Sequence, residues 1–548
     1  MKKPPAMKLT ATLLIALMPA LADAAVSLPN MFADHMVLQR GVAVPVWGTA
    51  APGEEVTVVF ASQNKTTVAA ANGYWSVKLD PLKVSAAPLE LKVGPLVIRD
   101  VLIGEVWLAS GQSNMAFPLS SAHNAAEVLS HAEDEQLRFF TVAKKTAAEP
   151  QAGLGGKWEL TAPDVAKGFS AVAYFFAREI RRTQQCPVGV IHSSWGGTPI
   201  KTWISLAGFE RDPPLAKPLQ QWERAVEQYR AVRADPKLAA DYLAELQRWR
   251  KEVEPSYNAA MKAYNAAQAA GNSQGQRPVP AWPEPANPDP MGMPSPSRRP
   301  QTPSISFNAM IAPLAPYAIR GALWYQGEAD GSAGLEYRAL LPRLIQDWRH
   351  LWGVNFPFLF VQLPANGSDS SQVAESGWPW LREAQFLTLE TPLTSMAVTI
   401  DVGDPNNVHP TGKLDVGRRL ALLARRDVYR ERIAASGPLY RDFKMEGNKV
   451  RVRFREVGGG LTPGEAPWRA SSVEALPTDR LIGFFIAGKD GKWSEAEAKI
   501  EGDSVIVSSA AVEKPLAVRY GWANSPRCNL YNREGLPASP FRTDDWLK

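Results

Sequence analysis

Between about residues 104 and 430, this 548-residue chain alternates short apolar runs with helical patterns. Five runs have the length and composition of buried strands: Val106–Leu108, Val188–His192, Ile319–Tyr325, Phe358–Leu363 and Met396–Asp401. Helical periodicity lies between or after them, over Ala171–Arg182, Tyr337–Trp352 and Leu414–Arg425. Strands that alternate with helices pack as a parallel sheet covered on both faces. The pattern predicts an α/β domain whose functional loops follow the carboxyl ends of the strands.

The flanking segments have a different pattern, typical of β structure. Short alternating runs are separated by turn pairs such as Pro52-Gly53 and Asn72-Gly73, and similar runs return near the C-terminus. We predict a β module at 25–103, the central domain at 104–430 and a second β module at 431–548. The chain is long enough for several domains.

The N-terminus has the features of a secretory signal peptide. Lys2, Lys3 and Lys8 precede the apolar stretch Leu9–Leu21, and Ala22-Asp23-Ala24 fits a cleavage site. A membrane anchor is the alternative, but the stretch is short for a span. We expect cleavage of residues 1–24, a periplasmic or secreted protein, and no stable membrane insertion afterwards.

Charge and cysteine content exclude some classes of partner. The formal net charge of +5 is small for this length and gives no nucleic-acid signature. Cys186 and Cys528 have no metal-ligand spacing, and two separate buried thiols are favoured over a disulfide. We expect no metal and no other cofactor. The sequence leaves the oligomeric state undetermined.

An insertion at about 215–303 interrupts the central pattern. Its first part, Pro218–Ala270, predicts one or two long helices, and Pro278–Pro303 is too rich in proline for regular structure. A helical hairpin with an extended tail over the surface is favoured, and a lid over the site is the alternative.

The first chemical candidate is Ser113, in the motif ASGQSNM that follows the strand Val106–Leu108. It is not the common Gly-x-Ser-x-Gly elbow, since Met115 replaces the second glycine. A serine nucleophile needs a base, a group that orients the base, and oxyanion donors. His409, in DVGDPNNVHP, is the candidate base, and an ordinary polar helix-entry loop is its alternative interpretation.

Two further motifs offer oxyanion donors. In SSWGGTPIKTW, adjacent glycines let the Gly197 N–H approach a substrate, although a simple tight turn would also use them. In WYQGEAD, Gln326 offers an amide, while Glu328 and Asp330 offer carboxylates or form a solvated loop. Tryptophans near these motifs, Trp195 among them, are core residues by default and sugar-stacking residues as the alternative.

Together, GEVWLASGQSNM, SSWGGTPIKTWIS, WYQGEAD and DVGDPNNVHPTGKLDVGRRLA resemble the sialate O-acetylesterase-like carbohydrate esterases of the SGNH hydrolase class. The resemblance extends to the flanking β segments. It implies a flavodoxin-like three-layer α/β/α domain with flanking β-sandwich or jelly-roll-like modules. It also implies removal of acetyl groups from an O-acetylated carbohydrate by a serine mechanism without metal.

The resemblance also implies roles for individual residues. Ser113 matches the nucleophile, His409 the base, and the backbone N–H groups of Ser113 and Gly197 the oxyanion donors, with Gln326 where many members of the class have Asn. The class often places Asp three residues before the histidine, where this chain has Asn406. Asp404 is our predicted triad acid; the alternatives are Asp401, no acid at all, and support of the site from Glu328. Substrate binding or support of the site is expected from Glu328, Asn114, Trp195 and Asn406.

The sequence is also consistent with two other functions. A non-catalytic carbohydrate-binding protein would use the β modules and the tryptophans, and a short-chain esterase would act on esters that are not sugars. The acetylated sugar itself, of hemicellulose or sialate type, is not determined by the sequence.

Overall fold

The computed structural model describes residues 26–211, 215–269, 276, 278–285, 290, 299–367, 373, 377–466, 468–471 and 473–546. The predicted signal peptide and much of the predicted Pro-rich tail lie outside the described residues. Within this part of the chain, no helix is long and apolar enough to span a membrane.

The N-terminal segment forms strands that lead directly into the central sheet. They are β1 (Val37–Gln39), β2 (Val44–Thr49), β3 (Glu55–Phe60), β4 (Gln63–Val68), β5 (Tyr74–Leu79), β6 (Ser85–Val93) and β7 (Leu96–Gly111). Side chains of β5 alternate between exposed and buried, as expected for a strand with one face on a core. β7 pairs with β6 and β1 along its first half and with central strands along its second. The predicted boundary at 103/104 therefore lies inside one strand.

The central segment alternates strands and helices. Its elements are α1 (Ala125–Ser130), β8 (Asp134–Thr141), β9 (Trp158–Thr161), α2 (Pro163–Ala166), α3 (Ala171–Gln184), β10 (Val188–Ser194), α4 (Leu206–Glu210), α5 (Ala216–Ala234), α6 (Pro236–Glu252), α7 (Glu254–Ala269), α8 (Ile305–Met310), β11 (Gly321–Tyr325), α9 (Gly334–Trp352), β12 (Phe358–Val361), α10 (Trp378–Leu387), β13 (Thr394–Ala397) and α11 (Lys413–Asp427).

The central strands form a sheet in the order β13-β12-β11-β7-β10-β8-β9, parallel except for β9. On one face, Trp107 of β7 contacts Phe176 of α3, and α11 packs beside α3. On the other face, Trp324 of β11 contacts Trp348 of α9. This is an α/β fold with helices on both faces, as predicted, and with additional β modules.

Sequence reading found five strands of this sheet and missed β8 and β9, which extend the edge beyond β10. The three predicted helices correspond to α3, α9 and α11. α3 begins at Ser170, whose hydroxyl accepts a hydrogen bond from the Ala173 N–H at 3.2 Å. The eight buried side chains of α3 account for its apolar period.

The helical insertion contains three helices, one more than the upper prediction. Asp235 caps α6, and Pro236 occupies its first turn, which ends α5 and starts a new helix. The predicted pattern was correct in kind, but the proline was not recognised as a helix start.

The C-terminal segment is all β, as predicted. Its strands are β14 (Leu439–Glu446), β15 (Lys449–Arg455), β16 (Leu461–Pro463), β17 (Phe484–Ala487), β18 (Trp493–Glu495), β19 (Glu497–Glu501), β20 (Ser504–Ser508), β21 (Ala517–Tyr520), β22 (Leu530–Asn532) and β23 (Phe541–Arg542). Two four-stranded sheets, β14-β15-β20-β19 and β18-β17-β21-β23, accompany the pair β16-β22.

Buried polar contacts attach this C-terminal segment to the central domain. The guanidinium of Arg382 in α10 donates to the carbonyls of Ala523 and Asn524, both at 2.7 Å, and Arg542 pairs with Glu383 at 2.6 Å. The two cysteines are free and separately buried, which confirms the favoured prediction.

Candidate active site

Parallel register brings three of the sequence motifs to one edge of the sheet. Ser110 and Gly111 at the end of β7 lie opposite Ser193 and Ser194 of β10, and on the other side opposite Trp324 and Tyr325 of β11. The three strands therefore end at the same level. The loops that carry Ser113, Gly197 and Gln326 leave this edge side by side.

The turn that carries Ser113 is closely packed against both neighbouring loops. Gly111 has φ +138°, and a side chain there would overlap the Tyr325 carbonyl. The N–H of Gln112 donates to that same carbonyl at 3.0 Å. On the other side, a β-carbon on Gly196 would lie 3.1 Å from the β-carbon of Ser113. A small residue at 196 is therefore what lets the Gly196-Gly197 turn lie directly against the candidate nucleophile.

The adjacent turn, which carries the predicted oxyanion donor Gly197, has a backbone conformation that favours glycine. Gly197 has φ +76°, a value that favours glycine, and Arg299 lies over it, with Cγ 2.8 Å from where a β-carbon would stand. Trp195, two residues earlier, has its side chain buried in the core, and its backbone N–H donates to the Gly111 carbonyl at 3.1 Å. This hydrogen bond joins the start of the turn to the end of β7.

Gln326 is fully buried, and its amide is engaged. Nε2 donates to the Thr198 carbonyl at 3.2 Å and to Asp330 Oδ2 at 2.5 Å, while Oε1 accepts from the Tyr337 hydroxyl at 2.8 Å. Asp330 also accepts from the Ile200 N–H at 2.8 Å, and burial raises its pKa to about 6. Gln326 would have to release one of these acceptors to bind an oxyanion, so that role stays a prediction.

His409 lies in the loop between β13 and α11. Its backbone N–H donates to Asn407 Oδ1 at 2.9 Å, and its side chain is half-buried. Burial, together with the nearby charge of Lys413, lowers the pKa of His409 from its ordinary 6.5. The imidazole is thus held in the neutral form that a general base requires. Among the described residues, no direct hydrogen bond joins its ring to the Ser113 hydroxyl.

The candidate acids in this loop have different surroundings. Asp404 Oδ1 accepts from the Asn406 N–H at 2.9 Å, in a turn that Asn366 holds by donating to the Asp404 carbonyl at 3.1 Å. Asp401 binds Arg419 with both oxygens, at 2.6 and 2.7 Å. Tyr531 of the C-terminal module also donates to Asp401, at 3.0 Å. Asp401 is thus committed to a structural ion pair.

Beneath the serine and histidine loops lies a buried polar cluster. Asn114 Nδ2 donates to Glu328 Oε1 and, at 2.9 Å, to the Val408 carbonyl, while its Oδ1 accepts from Lys413 Nζ at 2.6 Å. Burial lowers the pKa of Lys413 to about 7 and raises that of Glu328. Sequence reading named Asn114 and Glu328 but missed Lys413. The available signal was a cation in the first turn of a helix, where the helix dipole disfavours it.

The C-terminal module also reaches the histidine loop. Trp468 stacks on His123 at a centroid distance of 5.3 Å, and it covers Gly412 so closely that any side chain at 412 would overlap the indole. The backbone N–H of His123 in turn donates to the Thr411 carbonyl at 3.2 Å. Residues 411–413, just after His409, therefore pack between two parts of the chain.

No group of three or more His, Cys, Asp or Glu residues in the described ranges has the arrangement of a metal site. Lys413 and Glu328 instead bind the Asn114 amide that lies between them. The site as a whole can support serine chemistry: a hydroxyl in a tight turn, backbone N–H groups beside it and a neutral imidazole nearby.

Comparisons with known proteins agree with one another. No family model matches the chain. A sialate O-acetylesterase of Rattus norvegicus is 29% identical over 564 residues, covering 93% of this chain and 92% of the relative. The Homo sapiens sialate O-acetylesterase is 27% identical over 576 residues, covering 95% and 94%. The crystal structure of a carbohydrate acetylesterase from Xanthomonas citri has 34% identity and a TM-score of 0.74, covering 95% of this chain and all of that one.

Proposed function

Because the chain belongs to the sialate O-acetylesterase-like family of carbohydrate acetylesterases, which are carboxylic ester hydrolases, we propose that it removes acetyl groups from sugar hydroxyls through an acyl-enzyme on Ser113. The observation that carries the proposal is the parallel register of β7, β10 and β11. Their carboxyl ends lie side by side, which brings together the serine, the Gly197 turn and the Gln326 loop. The flavodoxin-like SGNH fold is part of this proposal. In its support, the five predicted strands lie in the sheet in the order β10-β7-β11-β12-β13. If these strands are numbered 1 to 5 along the chain, the order is 2-1-3-4-5, which is the flavodoxin-like order.

In the proposed reaction, Ser113 Oγ attacks the acetyl carbonyl carbon while His409 accepts the hydroxyl proton. The tetrahedral oxyanion is held by the N–H groups of Ser113 and Gly197, with Gln326 as a predicted third donor. Its collapse breaks the ester bond, and His409 returns the proton to the leaving sugar oxygen. Water, deprotonated by the same histidine, then attacks the acetyl-enzyme and releases acetate and free serine.

The acid that orients His409 is proposed to be Asp404. Its rival Asp401 is engaged by Arg419 and Tyr531, and Glu328 binds Asn114. Asn406 and Trp195 are proposed to support the site. We also propose that the protein is periplasmic or secreted, on the strength of the basic and apolar N-terminus.

Acetate release from acetylated xylan, xyloglucan, pectin and O-acetylated sialate tests the proposal. We expect release from at least one of them and rapid turnover of 4-nitrophenyl acetate, with rates that fall as the acyl chain lengthens. A protein that binds these glycans without releasing acetate would be a binding module, and one that prefers non-sugar esters would be a general esterase. Activity should survive EDTA, because the proposed chemistry uses no metal.

A further inference from the structure

The buried cluster of Asn114, Glu328 and Lys413 lies between the two loops on which the proposed reaction depends. Asn114 directly follows Ser113, and the Val408 carbonyl that it binds directly precedes His409. One hydrogen bond thus joins the side chain next to the nucleophile to the peptide carbonyl next to the base.

Lys413 fixes the other side of the histidine loop. It lies four residues after His409, in the first turn of α11, and its ammonium donates to Asn114 Oδ1. Both ends of the segment 408–413 are therefore bound to the same side chain. Asn114 uses one amide hydrogen and its oxygen in doing so, which leaves its second amide hydrogen for another partner.

The third member connects this arrangement to the β11 loop. Glu328 Oε1 accepts the second hydrogen of Asn114, and the neighbouring Ala329 N–H donates to Gln112 Oε1 at 3.2 Å. The β11 loop and the His409 loop are thus both hydrogen-bonded to residues 112–114 of the Ser113 loop. A rigid connection of this kind is what reacting groups need, because their distance must be held to a fraction of an ångström.

We propose that Asn114, Glu328 and Lys413 are positioning residues, which hold the loop of His409 in register with the turn of Ser113. This inference rests on the proposed function, in which these two residues are nucleophile and base. None of the three touches the reacting atoms; they act through Val408 and the first turn of α11.

The composition of the cluster supports a role in orientation rather than in stability. Burying an ammonium and a carboxylate costs free energy, and apolar side chains of similar volume would join the loops at lower cost. Lys413 Nζ lies over the rings of Phe117 and Tyr325, at 4.7 and 5.6 Å from their centroids. The charged or titratable groups around it are Glu328, His409 and the Tyr325 hydroxyl. Hydrogen bonds fix an orientation that apolar contacts leave loose.

The test compares Lys413→Met, the double variant Lys413→Met/Glu328→Gln, and Glu105→Gln as a control at the opposite end of the sheet. For each, kcat and KM are measured with 4-nitrophenyl acetate, and the rate at which a fluorophosphonate probe labels Ser113 is measured separately. We expect Lys413→Met to lower kcat and the labelling rate about 100-fold with KM changed less than about three-fold, as for a small displacement of reacting groups.

The double variant removes both charges, so it controls for the possibility that Lys413→Met lowers activity only by unfolding the protein. It should melt above Lys413→Met and still label slowly, because Asn114 loses the same donor. Asn114→Asp, which keeps the volume but cannot donate to Val408, should also label slowly, and it serves if the Lys413 variants do not fold. Glu105→Gln should lower the melting temperature and label at the wild-type rate per folded molecule.

The proposal is overturned if the folded variants label at the wild-type rate, or if each loss equals the loss of folded protein. The labelling rate does not depend on the natural substrate. If the wild-type protein releases no acetate from any glycan, the proposed function fails, while the labelling comparison still decides whether the cluster positions His409.

Discussion

The two ends of the central sheet each hold a carboxylate away from solvent, with different partners. At the amino end, Glu105 is fully buried between Arg40 and Arg320, at 2.6 and 2.7 Å, and Gln39 donates to it at 3.2 Å. At the carboxyl end, Glu328 binds the Asn114 amide. Its other oxygen, Oε2, is buried with no hydrogen-bond partner among the described residues.

The difference separates a structural cluster from one that we relate to function. Glu105 has oppositely charged partners from two parts of the chain, so it joins the N-terminal strands to the central sheet. Glu328 and Lys413 are separated by an amide and are poorly neutralised, which costs stability. Proteins retain such arrangements mainly where activity depends on them. Variants at the two ends of the sheet test whether one affects activity and the other only stability.

Replacement of the nucleophile should have the largest effect. Ser113→Ala removes the hydroxyl that forms the acyl-enzyme, and we expect kcat to fall by about five to six orders of magnitude with the fold intact. Ser110→Ala is the matched control: its buried hydroxyl has no hydrogen-bond partner among the described residues, so its loss should leave activity and stability near wild type. Esterase assays and thermal melts measure both. Activity of Ser113→Ala above a few per cent would exclude this nucleophile.

The two aspartates before His409 should separate catalysis from stability. Asp404→Asn is expected to lower kcat by about four orders of magnitude, because the imidazolium loses its negative partner. Asp401→Asn should instead destabilise the protein by about 3 kcal/mol, since it leaves Arg419 buried without its anion. Asn406→Ala should cost much less activity than Asp404→Asn. A silent Asp404→Asn together with an inactive Glu328→Gln would move the acid to the β11 loop.

At the amino end of the sheet, a change to Glu105 should affect stability alone. Glu105→Gln leaves Arg40 and Arg320 without their shared anion, and we expect a loss of about 1–3 kcal/mol in the free energy of unfolding. Denaturant titration measures this loss, and kcat is then compared per folded molecule. A fall in kcat beyond the loss of folded protein would contradict a purely structural role for the amino end.

The smallest expected effect is a shift in pH dependence. A neutral His409 is the base, so activity falls as the pH drops through its pKa, which burial and Lys413 hold below 6.5. The acidic limb of the kcat/KM profile should therefore lie below 6.5. Lys413→Met removes the smaller of the two causes and should move this limb upward by less than about one pH unit. A limb that stays in place would show that Lys413 exerts no charge effect on the base.

Much of the fold followed from local patterns in the sequence. The buried parallel strand β10 begins with the apolar run Val188–Ile191, and the residues of α3 have a helical pattern that ends in charged residues, so both were identified without coordinates. β8 was missed because its apolar run is short and begins with charged residues, Asp134 and Glu135. Its position next to β10 is set by pairing with a distant strand, which no local pattern reports.

The candidate site was identified motif by motif, but its connections were not. Ser113, Gly197 and His409 stand out through turn chemistry and residue type. The hydrogen bond from Lys413 to Asn114 joins residues 299 positions apart, and the contact of Trp468 with Gly412 joins two domains. Such contacts depend on how the loops pack in three dimensions, which the sequence does not specify locally.

Trp468, which packs over Gly412, and Tyr531, which binds Asp401, both lie near the end of the chain, so the loop of His409 depends on segments that are made last. Ribosomes produce the chain from its N-terminus, so a nascent chain that already contains Ser113 and His409 still lacks both partners. We expect hydrolytic activity to arise only once the last β strands have been made. Acetyl-ester hydrolysis would then begin with the finished molecule and not with a growing one.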